Sequence, residues 1–212
     1  VVDESVRDLF SPSLGLFVPT PNTRRGSSDK YLPNSAYGSP EHMQIYEFVG
    51  KLMGLSLRTK ADLPFTFAQL CWKSFIQAKL NADDLRDIDQ ALAATLDEMR
   101  SFEAPDQVDP QEAFEKKFGS FFPNGKPAPR FEDRRRVSDS LLREQVYVCS
   151  MQLDAMRRGF CTIVPERLLF VFRWDELEAL VAGSPIIDVA TIKENTSLRG
   201  YAADDPTIQH FW

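Results

Sequence analysis

Three cysteines and two histidines set the limits on nucleophilic and metal chemistry in this 212-residue chain. Cys161 is the first candidate for a reactive thiol, because it follows Arg157, Arg158 and a helix end, and nearby cations lower a thiol pKa. No His lies within sequence reach of it, however, and Phe160, Ile163 and Val164 surround it with apolar residues, the setting of a buried structural cysteine. Cys71 and Cys149 lie on apolar helical stretches and read the same way. His42 and His210 stand at opposite ends of the sequence, which argues against a His-rich metal site. The odd cysteine count and the lack of any C-x-x-C pair exclude a disulfide framework and a zinc ribbon. No metal or cofactor is called for.

Adjacent carboxylates occur at Asp83-Asp84, Asp175-Glu176 and Asp204-Asp205. Each pair stands where a helix should start, and there capping and the helix dipole account for acids without catalysis. The run Arg134-Arg135-Arg136 could bind phosphate, but Glu132 and Asp133 beside it fit a solvated helix face better. No P-loop, G-x-G-x-x-G or G-x-S-x-G pattern is present. The residues taken alone therefore show no self-contained active site.

Composition narrows the class further. Apolar residues make up 43% and charged residues 26%, close to an average globular protein able to bury a proper core. A net charge of −6 argues against a phosphate-tracking nucleic-acid module. No apolar run approaches the roughly 20 residues that a membrane span needs. Asp3, Glu4, Arg7 and Asp8 are the wrong chemistry for a signal peptide. A reduced, intracellular protein of the cytoplasm or nucleus is expected, and a start at Val1 rather than Met suggests a piece of a longer chain.

The elements that must position these residues are mostly helical. Pro19, Pro21, Pro33 and Pro40 break any helix over residues 11–40; Leu14, Leu16, Phe17 and Val18 suit a short strand, and Thr23 to Asp29 a flexible loop. Ser39-Pro40-Glu41 supplies an N-cap, a proline at the first helical position and an acid in the first turn. Behind it Ile45, Phe48, Val49, Leu52 and Met53 predict an amphipathic helix, in which Gly50 and Gly54 would let a neighbouring backbone approach. A core helix is expected from near Thr66 through Ile76, a third after Asn81, and a fourth through Leu92, Leu96 and Met99. Asp109-Pro110 should open a short helix, and Phe121, Phe122 and Pro123-Asn124-Gly125 suggest a small hairpin. One long helix is predicted from Asp133 to Arg158, closed by Gly159; short helices follow at Pro165, Asp175, Asp188 and Asp205. The fold class is mainly α (α+β), with a small mixed insertion.

Three ordered stretches carry a family likeness. Glu47-Phe48-Val49-Gly50-Lys51-Leu52-Met53-Gly54 with Leu57-Arg58-Thr59-Lys60 resembles the "F-(I/V)-G-K-L-(M/I)-G-x-A-L-R-T-K" segment of HECT-type ubiquitin ligases. Met156-Arg157-Arg158-Gly159-Phe160, Val164-Pro165, Leu168-Leu169, Glu176-Leu177-Glu178 and Gly183-Ser184-Pro185 are similar to its "F-R-x-G-F…V-P…L-L…E-L-E-x-L-(V/I)-x-G-S" block. Ile187-Asp188-Val189, Thr196, Gly200-Tyr201, Asp204-Asp205-Pro206, Ile208 and Phe211-Trp212 resemble its close. The opening Leu16-Phe17-Val18-Pro19-Thr20-Pro21-Asn22 is similar as well.

The resemblance implies the N-terminal lobe of a HECT domain, lacking the C-lobe with the ubiquitin-accepting cysteine, so that this segment alone should be inactive. Its implied partners are a ubiquitin-conjugating enzyme and, through the parent protein, ubiquitin and protein substrates; no nucleic acid and no membrane are expected. Residues 1–80 and 147–212 would form the large helical subdomain, and 81–146 the small one that docks the conjugating enzyme. The family's docking groove falls on Leu96 and Met99 from one helix and Val137 and Leu141 from another, although an aromatic commonly stands at the Val137 position. The same four residues could instead simply pack the subdomain core. A degenerate lobe kept as an interaction scaffold, without ligase activity, is the alternative.

Overall fold

The computed structural model describes residues 2–122, 128–183, 189–201 and 205–212. In chain order the elements are α1 (Val2–Leu9), β1 (Phe17–Pro19), α2 (Pro21–Arg24), β2 (Tyr31–Pro33), α3 (Pro40–Thr59), α4 (Gln69–Phe75), α5 (Ala82–Ile88), α6 (Gln90–Ser101) and α7 (Pro110–Phe118). Then follow α8 (Arg134–Val146), α9 (Ser150–Cys161), α10 (Glu166–Leu169), α11 (Trp174–Ala182), α12 (Val189–Glu194) and α13 (Pro206–Phe211). Short 3-10 turns sit at Gly119–Phe121 and Phe131–Asp133. The mainly α class is as expected, with β1 and β2 as an antiparallel pair, Phe17 opposite Pro33 and Pro19 opposite Tyr31.

Local chemistry explains where the elements begin. Ser39 caps α3 by accepting from His42 N–H, and Pro40 fits the first position because its missing N–H costs nothing there. Asn81 accepts from Asp83 and Asp84 N–H while the Asp84 carboxylate accepts from Asn81 N–H, a reciprocal capping box that starts α5. Asp109 and Asp205 cap α7 and α13 through their side chains. The first two residues of the stretch read as a flexible loop, Thr23 and Arg24, instead complete α2, because Thr20 accepts from Thr23 N–H and Pro21 presets the first turn.

Packing supplies the axis of the molecule. Helices α3 and α9 cross in close contact through glycine: a Cβ on Gly50 would stand 1.8 Å from the Met156 carbonyl oxygen. The neighbouring-backbone approach expected at Gly50 is thus observed, and Gly54 lies against Phe160 and Ile163. Around this crossing Tyr46, Met53, Phe67, Trp72, Phe75 and Phe160 are fully buried.

Three sequence expectations change. The predicted helix from Asp133 to Arg158 is two helices, α8 and α9, parted at Tyr147–Cys149, because Val146 and Cys149 must both turn inward while Tyr147 and Val148 stay exposed. Gly159 is not a C-cap; it lies inside α9, buried, where its lack of a side chain admits α3. The hairpin turn at Pro123-Asn124-Gly125 falls outside the described residues, and flanking Phe121 closes a 3-10 turn rather than a strand. The cap expected at Asp188 also lies outside the described residues.

Candidate partner-binding site

Among the described residues the buried apolar side chains form two cores, which share half-buried Phe121 at their margins. The main one reaches from Val6 to Val181 and includes Leu85, Ile88, Ala93, Leu96 and Val146. A second, formed by Met99, Phe114 and Phe118, is surrounded by half-buried Phe102, Phe121, Phe122 and Phe131. Its rings meet edge-on or tilted: Phe102 and Phe118 centroids are 5.4 Å apart at 87°, and Phe114 and Phe118 are 5.1 Å apart. Such geometry sets the positive ring edge against the negative face of its neighbour.

This small core is closed by two polar side chains. Gln111 accepts from Phe131 N–H at 2.7 Å through Oε1 and donates from Nε2 to the Pro129 carbonyl at 3.3 Å. Arg134 donates Nε–H to the Phe102 carbonyl and Nη1–H to the Phe131 carbonyl, while its guanidinium lies 4.0 Å from the Phe131 ring centroid. The arginine run therefore splits by role. Arg134 ties the small core together, Arg136 pairs with Asp133 at 3.3 Å, and Arg135 is exposed.

The four residues on which a docking groove was expected occupy adjacent helices. α6 carries Leu96 and Met99, and α8 carries Val137 and Leu141; the Ser138 hydroxyl donates to the Leu96 carbonyl at 2.8 Å and holds the helices together. Leu96 and Met99 are 1% and 0% exposed, whereas Val137 and Leu141 are half-buried. A partner would meet the α8 residues directly and the α6 pair only through what covers them. An open depression of about 690 Å³ is lined by Asp109, Pro110, Gln111, Arg130, Phe131 and Glu132, and by none of those four residues. Sequence reading missed Phe102, Phe131 and Gln111 as parts of this unit. The available signal was the density of phenylalanine at 102, 114, 118, 121, 122 and 131 within thirty residues.

The thiols and carboxylates fall into supporting roles. Burial pushes the Cys149 thiol up to about 12 and the Cys71 thiol well above its ordinary value. Half-exposed Cys161 is also raised, chiefly by burial, although the Arg157 charge pulls the other way. All three thiols are free. Buried Asp84 accepts from Lys73 at 2.7 Å and from Gln69 at 3.1 Å, so it joins α5 to α4. Asp83 pairs with Arg86, Asp175 with Arg173, and the Glu176 carboxylate accepts from Arg173 N–H; Asp204 lies outside the described residues. Among the described residues no group of three or more His, Cys, Asp or Glu could hold a metal ion. None of the described helices is long and apolar enough to cross a membrane.

Fold and side chains together define a two-core helical lobe in which none of the three cysteines is an activated nucleophile. The chain belongs to the HECT-domain (ubiquitin-transferase) family, whose model matches residues 3–212. It is 29% identical over 218 residues to E3 ubiquitin-protein ligase ptr1 of Schizosaccharomyces pombe and 30% over 219 residues to E3 ubiquitin-protein ligase TOM1-like of Neurospora crassa. It is also 28% identical over 222 residues to E3 ubiquitin-protein ligase HERC2 of Mus musculus. These alignments cover 97%, 97% and 100% of this chain but 6%, 5% and 4% of the relatives. The chain thus spans a small part of the length of the proteins it matches.

Proposed function

We propose that this chain is the N-lobe portion of a HECT-type ubiquitin-protein ligase and that its small subdomain, within residues 81–146, docks a ubiquitin-conjugating enzyme. The observation that carries the reading is the second core of Met99, Phe114 and Phe118, separate from the main core and set in the block where the family resemblance puts the docking subdomain. Val137 and Leu141, half-buried on α8, are the residues such a partner would touch; Leu96 and Met99 on neighbouring α6 are buried, in the main and the second core respectively.

The lobe's contribution is positioning, since holding two reactants in register removes much of the entropic barrier between them. Ubiquitin would leave the conjugating enzyme as its thioester is attacked by a cysteine thiolate outside these 212 residues. The new thioester would then be attacked by a substrate lysine amine. The raised thiols of Cys71, Cys149 and Cys161 support assigning the acceptor elsewhere, because the thiolate is the reactive form. Three free thiols likewise support a reducing compartment, the cytoplasm or nucleus, as the place of action.

The test is a binding titration of the lobe against a panel of ubiquitin-conjugating enzymes. Micromolar binding to one or more, weakened about tenfold or beyond by Val137→Asp or Leu141→Asp, is the expected result. A folded lobe that binds none of them overturns the docking role and favours an interaction scaffold without ligase activity.

A further inference from the structure

Nothing in the sequence from Ala82 to Ser101 breaks a helix, for the stretch holds no glycine and no proline. The structure nevertheless divides it into α5 and α6, parted by Asp89 alone. Asp89 ends α5 through its N–H, which donates to the Leu85 carbonyl, and caps α6 by accepting from Leu92 N–H. Asn22 stands in the corner so made. Its Nδ2 donates to the Arg86 carbonyl at 2.8 Å and to the Asp87 carbonyl at 2.9 Å, and its Oδ1 accepts from Gln90 N–H at 3.0 Å.

In a continuous helix the Gln90 N–H would bond to the Arg86 carbonyl, four residues back. Asn22 takes both groups, and a side chain inserted into that ladder bends a helix sharply. An amide suits the place because it offers two donors and an acceptor at once, whereas a carboxylate offers no donor. Asn22 is buried on α2, which is tied to the β1–β2 pair where the Thr20 N–H and the Thr23 hydroxyl both donate to the Lys30 carbonyl. The corner has consequences at a distance, because α6 places Leu96 in the main core and Met99 in the second. Helix α8 follows α6 through the bond from Ser138 to the Leu96 carbonyl.

We propose that Asn22 is a positioning residue, a wedge that parts α5 from α6 and so sets the direction in which α6, with α8 bonded to it, carries the second core. Its bearing on function rests on the docking role proposed above. On that reading Asn22 orients Val137 and Leu141 toward the conjugating enzyme without touching it.

Two spin labels on the 212-residue chain test this, one on Met151→Cys in α9 and one on Lys116→Cys in α7, both exposed positions, with Cys161→Ser and the buried Cys71 and Cys149 left in place. The distance between them reports where the second core stands. Asn22→Ala should shift or broaden that distance and weaken binding to a conjugating enzyme that the parent binds several-fold, at a temperature where circular dichroism shows the chain folded. Asn22→Asp, which keeps only the acceptor for Gln90 N–H, should do the same and serves if the alanine variant does not fold. Asn34→Ala removes a 2.8 Å bond to the Gly15 carbonyl instead; it should lower stability yet leave distance and affinity unchanged. An unchanged distance in either folded Asn22 variant overturns the proposal, and so does a shifted distance with unaltered affinity. A parent chain that binds no conjugating enzyme overturns the docking reading instead, and the label distance then decides the wedge by itself.

Discussion

Gly159 lies so close to Glu47 that a Cβ built on it would stand 1.8 Å from the Glu47 carbonyl oxygen and 2.7 Å from the carbonyl carbon. Gly50 makes the reciprocal approach to the Met156 carbonyl. The two glycines set the separation of α3 and α9, and with it the position of every core residue that those helices carry. Because the obstructing atoms are backbone, no rotamer change can relieve the clash.

Gly159→Ala should therefore cost about 3 kcal/mol or more of unfolding free energy, at the severe end of overpacking substitutions. Gly38→Ala, where nothing lies within 4 Å of the added carbon, should stay within about 0.5 kcal/mol of the parent. Urea unfolding of the two variants measures the difference directly. Equal stabilities would mean that the helices separate at little cost.

The Asp84 carboxylate is fully buried and accepts from Lys73, Gln69 and the Asn81 N–H. Asp84→Ala leaves the 13%-exposed Lys73 ammonium without its partner and removes half of the α5 capping box. The loss should be about 3 to 5 kcal/mol, the usual range for breaking a buried pair from one side. Chemical denaturation reads it, and a loss below 1 kcal/mol would show that Lys73 finds water or another acceptor.

The small core should open without the large one. Phe114 is fully buried in the second core, which shares half-buried Phe121 with the main one, so Phe114→Ala should cost about 3 to 5 kcal/mol, felt first around the second core. Amide exchange should accelerate over α6, α7 and the start of α8 while α3 and α9 keep their protection. Uniform acceleration throughout would instead make the two cores one cooperative unit.

Alkaline stability carries a signature of Cys149. Its thiol is raised by burial from an ordinary 9.0 to about 12 in the folded protein. Between these values the unfolded chain releases the proton and the folded one keeps it. The contribution to stability is complete below pH 9 and is lost as the pH climbs toward 12. Cys149→Ala should flatten the decline between pH 9 and 11 as followed by thermal melting. Buried Tyr46, whose hydroxyl is also raised by burial, accounts for part of the slope that remains. An alkylating reagent at pH 8 should modify Cys161 ahead of Cys71 and Cys149, and all three only after unfolding should be equally reactive.

Caps, prolines and helical spacing were readable along the chain because each acts within four residues. Ser39, Asn81, Asp109 and Asp205 start the helices that their types and neighbours foretell, and the ordered motifs around Gly50 and Gly159 pointed to the family. Which face of α3 turns inward was decided elsewhere. Ile45 and Phe48 fit an apolar stripe as well as Val49 and Met53 do, but α9 packs against the side where Gly50 lets its backbone come close. Tertiary structure alone also split α8 from α9, set Arg134 against Phe131 and the Phe102 carbonyl, and buried Leu96 and Met99 on α6. Local hydrogen bonds and backbone preferences are written in neighbouring residues; burial depends on which distant segment fills the space, and that is a property of the packed whole.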